Sequence, residues 1–475
     1  PTPALSSADP TMEETMARRA TKATLAIAFT SMLVLAPAAA FGALPAIPVG
    51  DSPVATETSP DGTRLYVANN LSDTVSVIDT ASGTVIDTIS VAVIQPSGVF
   101  PVDLTVSADG SKVYVANEGT NVVPIIDTAS GTVLGAIPVG ADPTSIEFDA
   151  TGAFAYTADS GDNTVTMIDV AASSVIATIP VGITPWDLIV SPDGSRIYVS
   201  NVVDDTVSVI DVSARTVVAT IAVGDGPLTL DVNASGSQVF VANGSGGTVS
   251  VIDTATNTVV RTFAAVSLPT DLQLSPDGTR VVVSSLDANT VTAFSATTGA
   301  FIASAPTGSA PSSVEFSRDG ALLYVSNMDD DTVSVFTRAA LGSTTPPAGV
   351  VGSAFSFSTG LLGEPLPTLT STPLPAGLTL DAATGVISGT PTTPGTTTVT
   401  ISASNVVGDA SRTFTFTIAV PDANGGTDPS TPGLAESGGS DRAALTNAVL
   451  AALLIASGIT LTRWARARRR ALSPR

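Results

Sequence analysis

Pro185-Trp-Asp-Leu-Ile-Val-Ser-Pro-Asp-Gly-Ser-Arg-Ile-Tyr-Val-Ser-Asn201, followed by Asp205-Thr-Val-Ser-Val-Ile-Asp211 and Thr216-Val-Val-Ala-Thr-Ile-Ala-Val-Gly224, is the stretch that decides the fold. It reads as four short strands, rich in β-branched residues and bounded by turn residues. The same phrase returns at a fixed step: the turn glycines Gly110, Gly152, Gly194, Gly236, Gly278 and Gly320 are 42 residues apart, and Gly62 precedes them by 48. A repeat of about 40 to 45 residues with four strands is the signature of a β-propeller blade, which cannot bury both faces alone and must stack on its neighbours. A proline opens each inner strand, at Pro53, Pro101, Pro143, Pro185, Pro227, Pro269 and Pro311, so the array has seven units.

The turn between the first two strands reads Ser-Pro-Asp-Gly at Ser59, Ser191 and Ser275 and keeps only its glycine throughout. Its last position needs a positive φ, which glycine takes at no steric cost, while proline presets the earlier φ. The second strand carries Tyr66-Val-Ala-Asn69, Tyr114-Val-Ala-Asn117, Tyr156-Thr-Ala-Asp159, Tyr198-Val-Ser-Asn201, Phe240-Val-Ala-Asn243, Val282-Val-Ser-Ser285 and Tyr324-Val-Ser-Asn327. Over residues 44–340 this pattern resembles the YVTN family of surface-layer-type β-propellers, with the sixth unit departing most. The seventh unit stops after Asp331-Thr-Val-Ser-Val-Phe336, and Leu44-Pro-Ala-Ile-Pro-Val-Gly50 looks like the tail of the other units. The N-terminal segment is therefore expected to supply the outermost strand of the last blade and close the ring.

The 475 residues contain no cysteine and no histidine. Thiolate nucleophiles, Ser-His-Asp triads, His/Cys zinc sites and imidazole haem ligands are excluded. The formal charge is −23, and residues 41–433 hold 9 Lys and Arg against 37 Asp and Glu. Such a surface repels phosphate backbones, so nucleic acid is not an expected partner.

Met16-Ala-Arg-Arg-Ala-Thr-Lys22, the apolar run to Leu35 and Ala38-Ala39-Ala40 read as a secretory signal peptide over 16–40, cleaved after Ala40; a short buried helix fits the flanking charges poorly. Residues 1–15 are read as a misassigned start, without structure. At the other end, 443–463 is an apolar stretch long enough to span a bilayer as a helix, followed by an arginine-rich tail over 464–475 that would stay in the cytoplasm. Upstream lies the pentapeptide Leu434, Ala435, Glu436, Ser437 and Gly438. Pentapeptide, span and basic tail together resemble a Gram-positive sortase sorting signal, with Ala435 and Ser437 where proline and threonine are usual. The resemblance implies cleavage between Ser437 and Gly438 by a sortase; a plain membrane anchor is the alternative.

From 346 to 420 the pattern changes to Leu374-Pro-Ala-Gly-Leu-Thr-Leu-Asp-Ala-Ala-Thr-Gly-Val-Ile-Ser-Gly-Thr-Pro391 and two alternating strands. This resembles an Ig-like domain of bacterial surface proteins, a small β-sandwich expected to act as a spacer. Residues 421–442, rich in Gly, Ser, Pro, Asp and Thr, read as a flexible stalk. The expected fold is all-β: a seven-bladed propeller and an Ig-like sandwich between a signal helix and a transmembrane helix.

Propellers bind ligands at the mouth of the channel, formed here by the loops after the second strands and those before the opening prolines. Trp186 lies on that rim and could stack on a sugar ring or plug the channel. Asp204, Asp205, Asp329, Asp330 and Asp331 lie on it too, as solvated charges or as cation ligands. Two residues after the prolines stand Asp103, Asp187 and Asp271, on alternate blades. They could converge on one Ca²⁺, the sole cofactor weighed, although Asp, Ser and Thr interchange there, which favours capping of backbone amides. The expected function is a non-catalytic binding, adhesion or scaffold protein at the surface of a Gram-positive cell, with an extracellular protein or polysaccharide as partner. The alternative is an extracellular enzyme, a lactonase-like hydrolase or lyase working through channel-mouth carboxylates.

Overall fold

The computed structural model describes residues 44–93 and 97–421. Several expectations lie outside the described residues: the start region 1–15, the signal peptide with Ala40, all but the first residue of 421–442, the span 443–463 and the tail. The sorting pentapeptide of Leu434, Ala435, Glu436, Ser437 and Gly438 lies outside them as well. No helix among the described residues is long and apolar enough to cross a membrane.

Six antiparallel four-stranded sheets follow one another in strict sequence order, as in Pro185–Val190, Arg196–Asn201, Thr206–Asp211 and Thr216–Ala222 of blade 4. A seventh sheet is built on Pro311–Phe316, Leu322–Asn327 and Thr332–Ala340. Each inner strand packs against the inner strand of the next blade, and Pro53–Thr58 of blade 1 packs against Pro311–Phe316 of blade 7, which closes the ring. Between blades the second and third strands present Val, Ile, Tyr and Leu from both sides. Tyr156, Val165, Leu188, Ile197 and Val199 form one such layer, all of them buried. Fully burying a side chain of this size contributes about 1.5–3 kcal/mol, so the blades stabilise one another rather than themselves.

Two glycines show what the repeat needs. Gly194 has φ +69° in the Ser-Pro-Asp-Gly turn, as its sequence position requires. Gly182 is needed for space: a Cβ there would stand 2.5 Å from Cγ of Asn201. Instead the Gly182 N–H donates to Asn201 Oδ1 at 3.0 Å, while Asn201 Nδ2 donates to Thr206 and Ser208. The terminal amide of the Tyr-Val-Ser-Asn motif thus ties the incoming loop to its blade. Blade 6 lacks both members of the pair: Ser285 replaces the asparagine, Val266 replaces the glycine, and Ser285 Oγ donates to the carbonyl of the next residue, Ser267, at 2.6 Å. The departure of the sixth unit is a matched replacement.

Leu44–Gly50 reaches the outer edge of blade 7 through Ile47–Pro48, which pair with Val333 and Thr332, and through the Val49 N–H, which donates to the Asp331 carbonyl at 2.9 Å. The other half of that edge is taken by Leu362–Glu364, from beyond the propeller, which pairs with Thr337 and Ala340. Beyond Gly349 a four-stranded and a three-stranded sheet enclose Phe355, Phe357, Ile387, Val399, Phe414 and Phe416, forming the Ig-like sandwich. This module is not merely tethered. Val406 and Val407 enter the core between blades 6 and 7, and Asn405 Nδ2 donates to the carbonyls of Thr337 and Pro365. Arg280, 1% exposed, donates to Ser404 Oγ at 3.0 Å and to Asp409 Oδ1 at 2.5 Å, and Arg338 joins Asp277 at 3.1 Å. Propeller and sandwich fall in one compact unit ending at Val420.

Candidate functional site: the channel and its mouth

The inner strands point alternate residues into the channel, so positions two and four after the opening proline share the channel face. At +2 stand Asp103, Asp187 and Asp271 of blades 2, 4 and 6; at +4 stand Glu57, Glu147, Asp231 and Glu315 of blades 1, 3, 5 and 7. Every blade therefore contributes one carboxyl group, in two tiers. The +4 set is absent from the sequence expectation, although the period of two that selected Asp103 selects Thr105 and its counterparts equally.

Asp103, Asp187 and Asp271 are not gathered around one point: among the described residues no group of three or more acidic side chains is placed to hold a metal ion. Each instead bridges blades. Asp187 Oδ1 accepts from the Leu188 N–H at 2.8 Å and Ser145 Oγ at 2.9 Å, and its Oδ2 accepts from the Leu230 N–H of blade 5 at 2.8 Å. Asp103 reaches the Ile146 N–H of blade 3 and Asp271 the Val314 N–H of blade 7, both at 2.8 Å. Asp231 does the same from the other tier, accepting from the Leu274 N–H of blade 6 at 2.7 Å. Glu315 accepts from the Thr58 N–H and Oγ1 and from Gln273 Nε2. Glu57 and Glu147 accept no protein hydrogen bond among the described residues.

Seven carboxyls enclosed by seven blades titrate high, because burial penalises their charged form, and at Glu57, Asp103, Glu147, Asp231 and Asp271 neighbouring carboxylates add to it. Burial first, then the charge of Asp187, raises Asp103 to about 7. Burial, then Asp103, raises Glu147 to about 8. Burial raises Asp187 to about 6, Asp231 to about 7 and Asp271 to about 8 against their amide donors, and Glu57 and Glu315 rise for the same first reason. Arg318 is the one cation that offsets this among the described residues, at Glu57 and Glu315.

Around the mouth, the carboxylates expected to form a ligand rim hold its loops in place. Asp205 Oδ1 accepts from the Gly226 N–H at 2.7 Å and Asp331 Oδ1 from the Ser52 N–H at 2.8 Å, each reaching the next blade. Asp204 Oδ2 accepts from Ile183 N–H at 2.8 Å and Asp330 Oδ2 from Ser309 N–H at 2.7 Å, within their own blades. Asp329 is exposed and bonds only through its backbone, to the Ser309 carbonyl. The residues that precede the opening prolines lie in the left-handed region: Ser52, Phe100, Asp142, Thr184, Leu268 and Ala310 have φ between 46° and 56°, and all of them but Leu268 donate their N–H to a side chain of the preceding blade. A residue before proline normally extends. Trp186 stands on this rim, 42% exposed.

Three family models match in part. Residues 46–179 match the lactonase family of seven-bladed β-propellers, residues 189–342 the YNCE-like β-propellers, and residues 325–421 the He_PIG family, described as "Putative Ig domain". The ring is a β-propeller. Among solved structures, hydrazine synthase of Kuenenia stuttgartiensis is similar, with TM-score 0.56 and 22% identity over 60% of this chain and 96% of that one. The β-propeller domain of Cps50 (Swd1) from Myceliophteria thermophila matches with TM-score 0.54 and 13% identity over 62% of this chain and 98% of that one. At these identities the likeness is one of fold. No curated protein matches the chain.

Proposed function

We propose that this chain is a non-catalytic binding or scaffold protein of the cell surface, presenting the mouth of its propeller to an extracellular partner. The signal and anchor patterns of the sequence support that location. One observation carries the reading: the two faces of the ring are used differently. On the face away from the mouth, Arg280 and Arg338 clasp Ser404 and Asp409 of the Ig-like module, with Asp277 holding Arg338, while the mouth keeps Trp186 exposed on loops fixed by Asp204, Asp205, Asp330 and Asp331. Rigid loops with an exposed aromatic anchor lower the entropic cost of binding. The test is protease shaving of intact cells followed by binding of the purified full chain to isolated wall polysaccharide and surface protein. Release by shaving, with binding that drops in Trp186→Ala, supports the reading; a chain protected inside the cell overturns it.

A second reading, a lactonase-like hydrolase, is favoured by the family match over 46–179 and by Glu57 and Glu147, whose carboxyls are uncommitted to the protein and titrate high. A carboxyl poised near neutrality suits general acid–base work. Lactone hydrolysis by the full chain that disappears in Glu147→Gln would replace the binding reading with this one.

A further inference from the structure

The loops of the mouth and those of the opposite face are drawn from the same repeat and both carry aspartates, but only the opposite face mixes basic residues among them. Among the described residues the mouth loops hold twelve Asp and Glu and no Lys or Arg. The basic residues of the propeller sit elsewhere. Arg64, Lys112, Arg196 and Arg280 open the second strands just past the opposite turns, and Arg215 and Arg318 lie in opposite-face turns. Arg338 ends its strand there, and Arg261 donates from its outer strand to the Ala296 and Thr297 carbonyls of an opposite-face turn.

Within this field Leu71, Phe100 and Leu268 are exposed singly on other mouth loops, and blade 4 alone exposes three large apolar side chains. Val203 donates its N–H to the Ile183 carbonyl at 3.3 Å and Val202 to that of Thr184 at 3.0 Å, which staples the loop after the second strand of blade 4 to the loop before Pro185. Ile183 and Val203 are consequently neighbours, 48 and 60% exposed, and Trp186, 42% exposed, follows three residues after Ile183 at the start of the inner strand. Asp204 and Asp225 border them, both exposed, and Asp205 fixes the junction with blade 5 through Gly226. An exposed apolar patch rimmed by charge of one sign marks a docking surface for a partner of the other sign.

We propose that the rim of blades 4 and 5 docks a basic protein segment, seating an apolar side chain of that segment among Ile183, Trp186 and Val203 while its Lys and Arg face Asp204 and Asp225. The inference rests on the binding reading and adds the partner's chemistry. The carboxylates set approach and orientation, and the indole supplies the contact that persists when salt screens the charges.

The full chain has a second tryptophan, Trp464, so Trp464→Phe makes Trp186 the sole reporter. The probes are a synthetic Lys/Leu peptide, a Lys/Ser peptide of equal charge and a Glu/Leu peptide of equal apolarity, followed by emission and calorimetry. The Lys/Leu peptide is expected to shift Trp186 emission to the blue and saturate, with the Lys/Ser peptide weaker and the Glu/Leu peptide silent. Trp186→Ala, read by calorimetry, should weaken binding about tenfold, the scale of an aromatic hot spot. Asp204→Asn with Asp225→Asn should weaken it and flatten its salt dependence, while Asp61→Asn with Asp193→Asn on the opposite face should change neither. Melting curves check that each variant folds. Equal binding of the Glu/Leu peptide, or indifference to the rim variants, overturns the basic partner. A Glu/Leu peptide that alone shifts Trp186 would overturn the partner's charge and leave the mouth a binding face. Silence of all three overturns the inference, leaving the binding reading to the wall-fraction experiment.

Discussion

The two faces of the ring differ in how far their carboxylates reach. On the opposite face, Asp61, Asp109 and Asp193 bond the hydroxyls and amides two residues away in their own turns, and those bonds hold each at about 2. In the channel and at the mouth, Asp187, Asp231, Asp271 and Asp331 bond amides of the next blade, and the enclosed ones are pushed up instead. The same amino acid is therefore a local turn cap on one face and a cross-blade fastener on the other. Local caps stabilise a turn whether or not the ring exists; the fasteners have partners only once it closes.

The largest expected effect separates the two sets by pH. A carboxyl with a raised folded pKa stabilises the fold most below its unfolded value, 3.8 for Asp and 4.5 for Glu, and that contribution is lost as pH rises through the folded value, here between about 6 and 8. The turn aspartates act oppositely: their contribution is present above 3.8 and lost as pH falls toward about 2. The melting temperature should peak near pH 4, fall as the pH rises from there to about 8, and fall again as it drops toward 2. A curve flat from 5 to 9 would show that channel water relieves the crowding and would erase the difference.

The clasp between propeller and sandwich at Arg280 comes next. Asp409→Ala leaves a buried guanidinium with Ser404 but no carboxylate, and denaturant midpoints should show a loss of about 2–3 kcal/mol. Within one blade, Asp187→Ala strands the Leu188 and Leu230 amides and should cost about 2 kcal/mol, whereas Asp193→Ala, six residues on, should cost a small fraction of that. Equal losses would mean that reach across blades adds nothing. The smallest effects concern backbone. Gly194→Ala should lose about 1 kcal/mol at φ +69°, and Ala310→Gly should gain about 0.5 kcal/mol, because Ala310 holds φ +53° against its preference; both are read from melting curves.

Legibility followed the same division. Blade number, the opening prolines and the turn glycines are local signals, and each falls where the 42-residue period puts it. The left-handed residues before the prolines were invisible, since Thr184 is held by Asn163 Oδ1 at 2.8 Å, half a repeat away, and Ala310 by Asn289 in the same manner. The three aspartates at +2 could be picked out because they alternate along the chain. Glu57, Glu147, Asp231 and Glu315 alternate in the same way two residues further on and were equally legible; what only the closed ring shows is the inter-blade partners that each carboxyl finds or lacks. The docking of the Ig-like module was equally hidden: Asn405, Val406 and Val407 read as an ordinary turn between strands, and their partners lie at Thr337 and in the core of blades 6 and 7.

The shared edge of blade 7 sets a timetable for the newborn chain. Six blades can be assembled from contiguous sequence as it emerges, but Thr332–Ala340 needs Ile47–Pro48, made some 285 residues earlier, and Leu362–Glu364, made after it. At about 5–20 residues per second the first strand waits tens of seconds beside an unfinished ring. The ring can close once Phe316 is made, but until residue 364 has left the ribosome half of blade 7's outer edge stays bare. The clasp therefore makes a strand of the sandwich the last piece of the propeller to arrive.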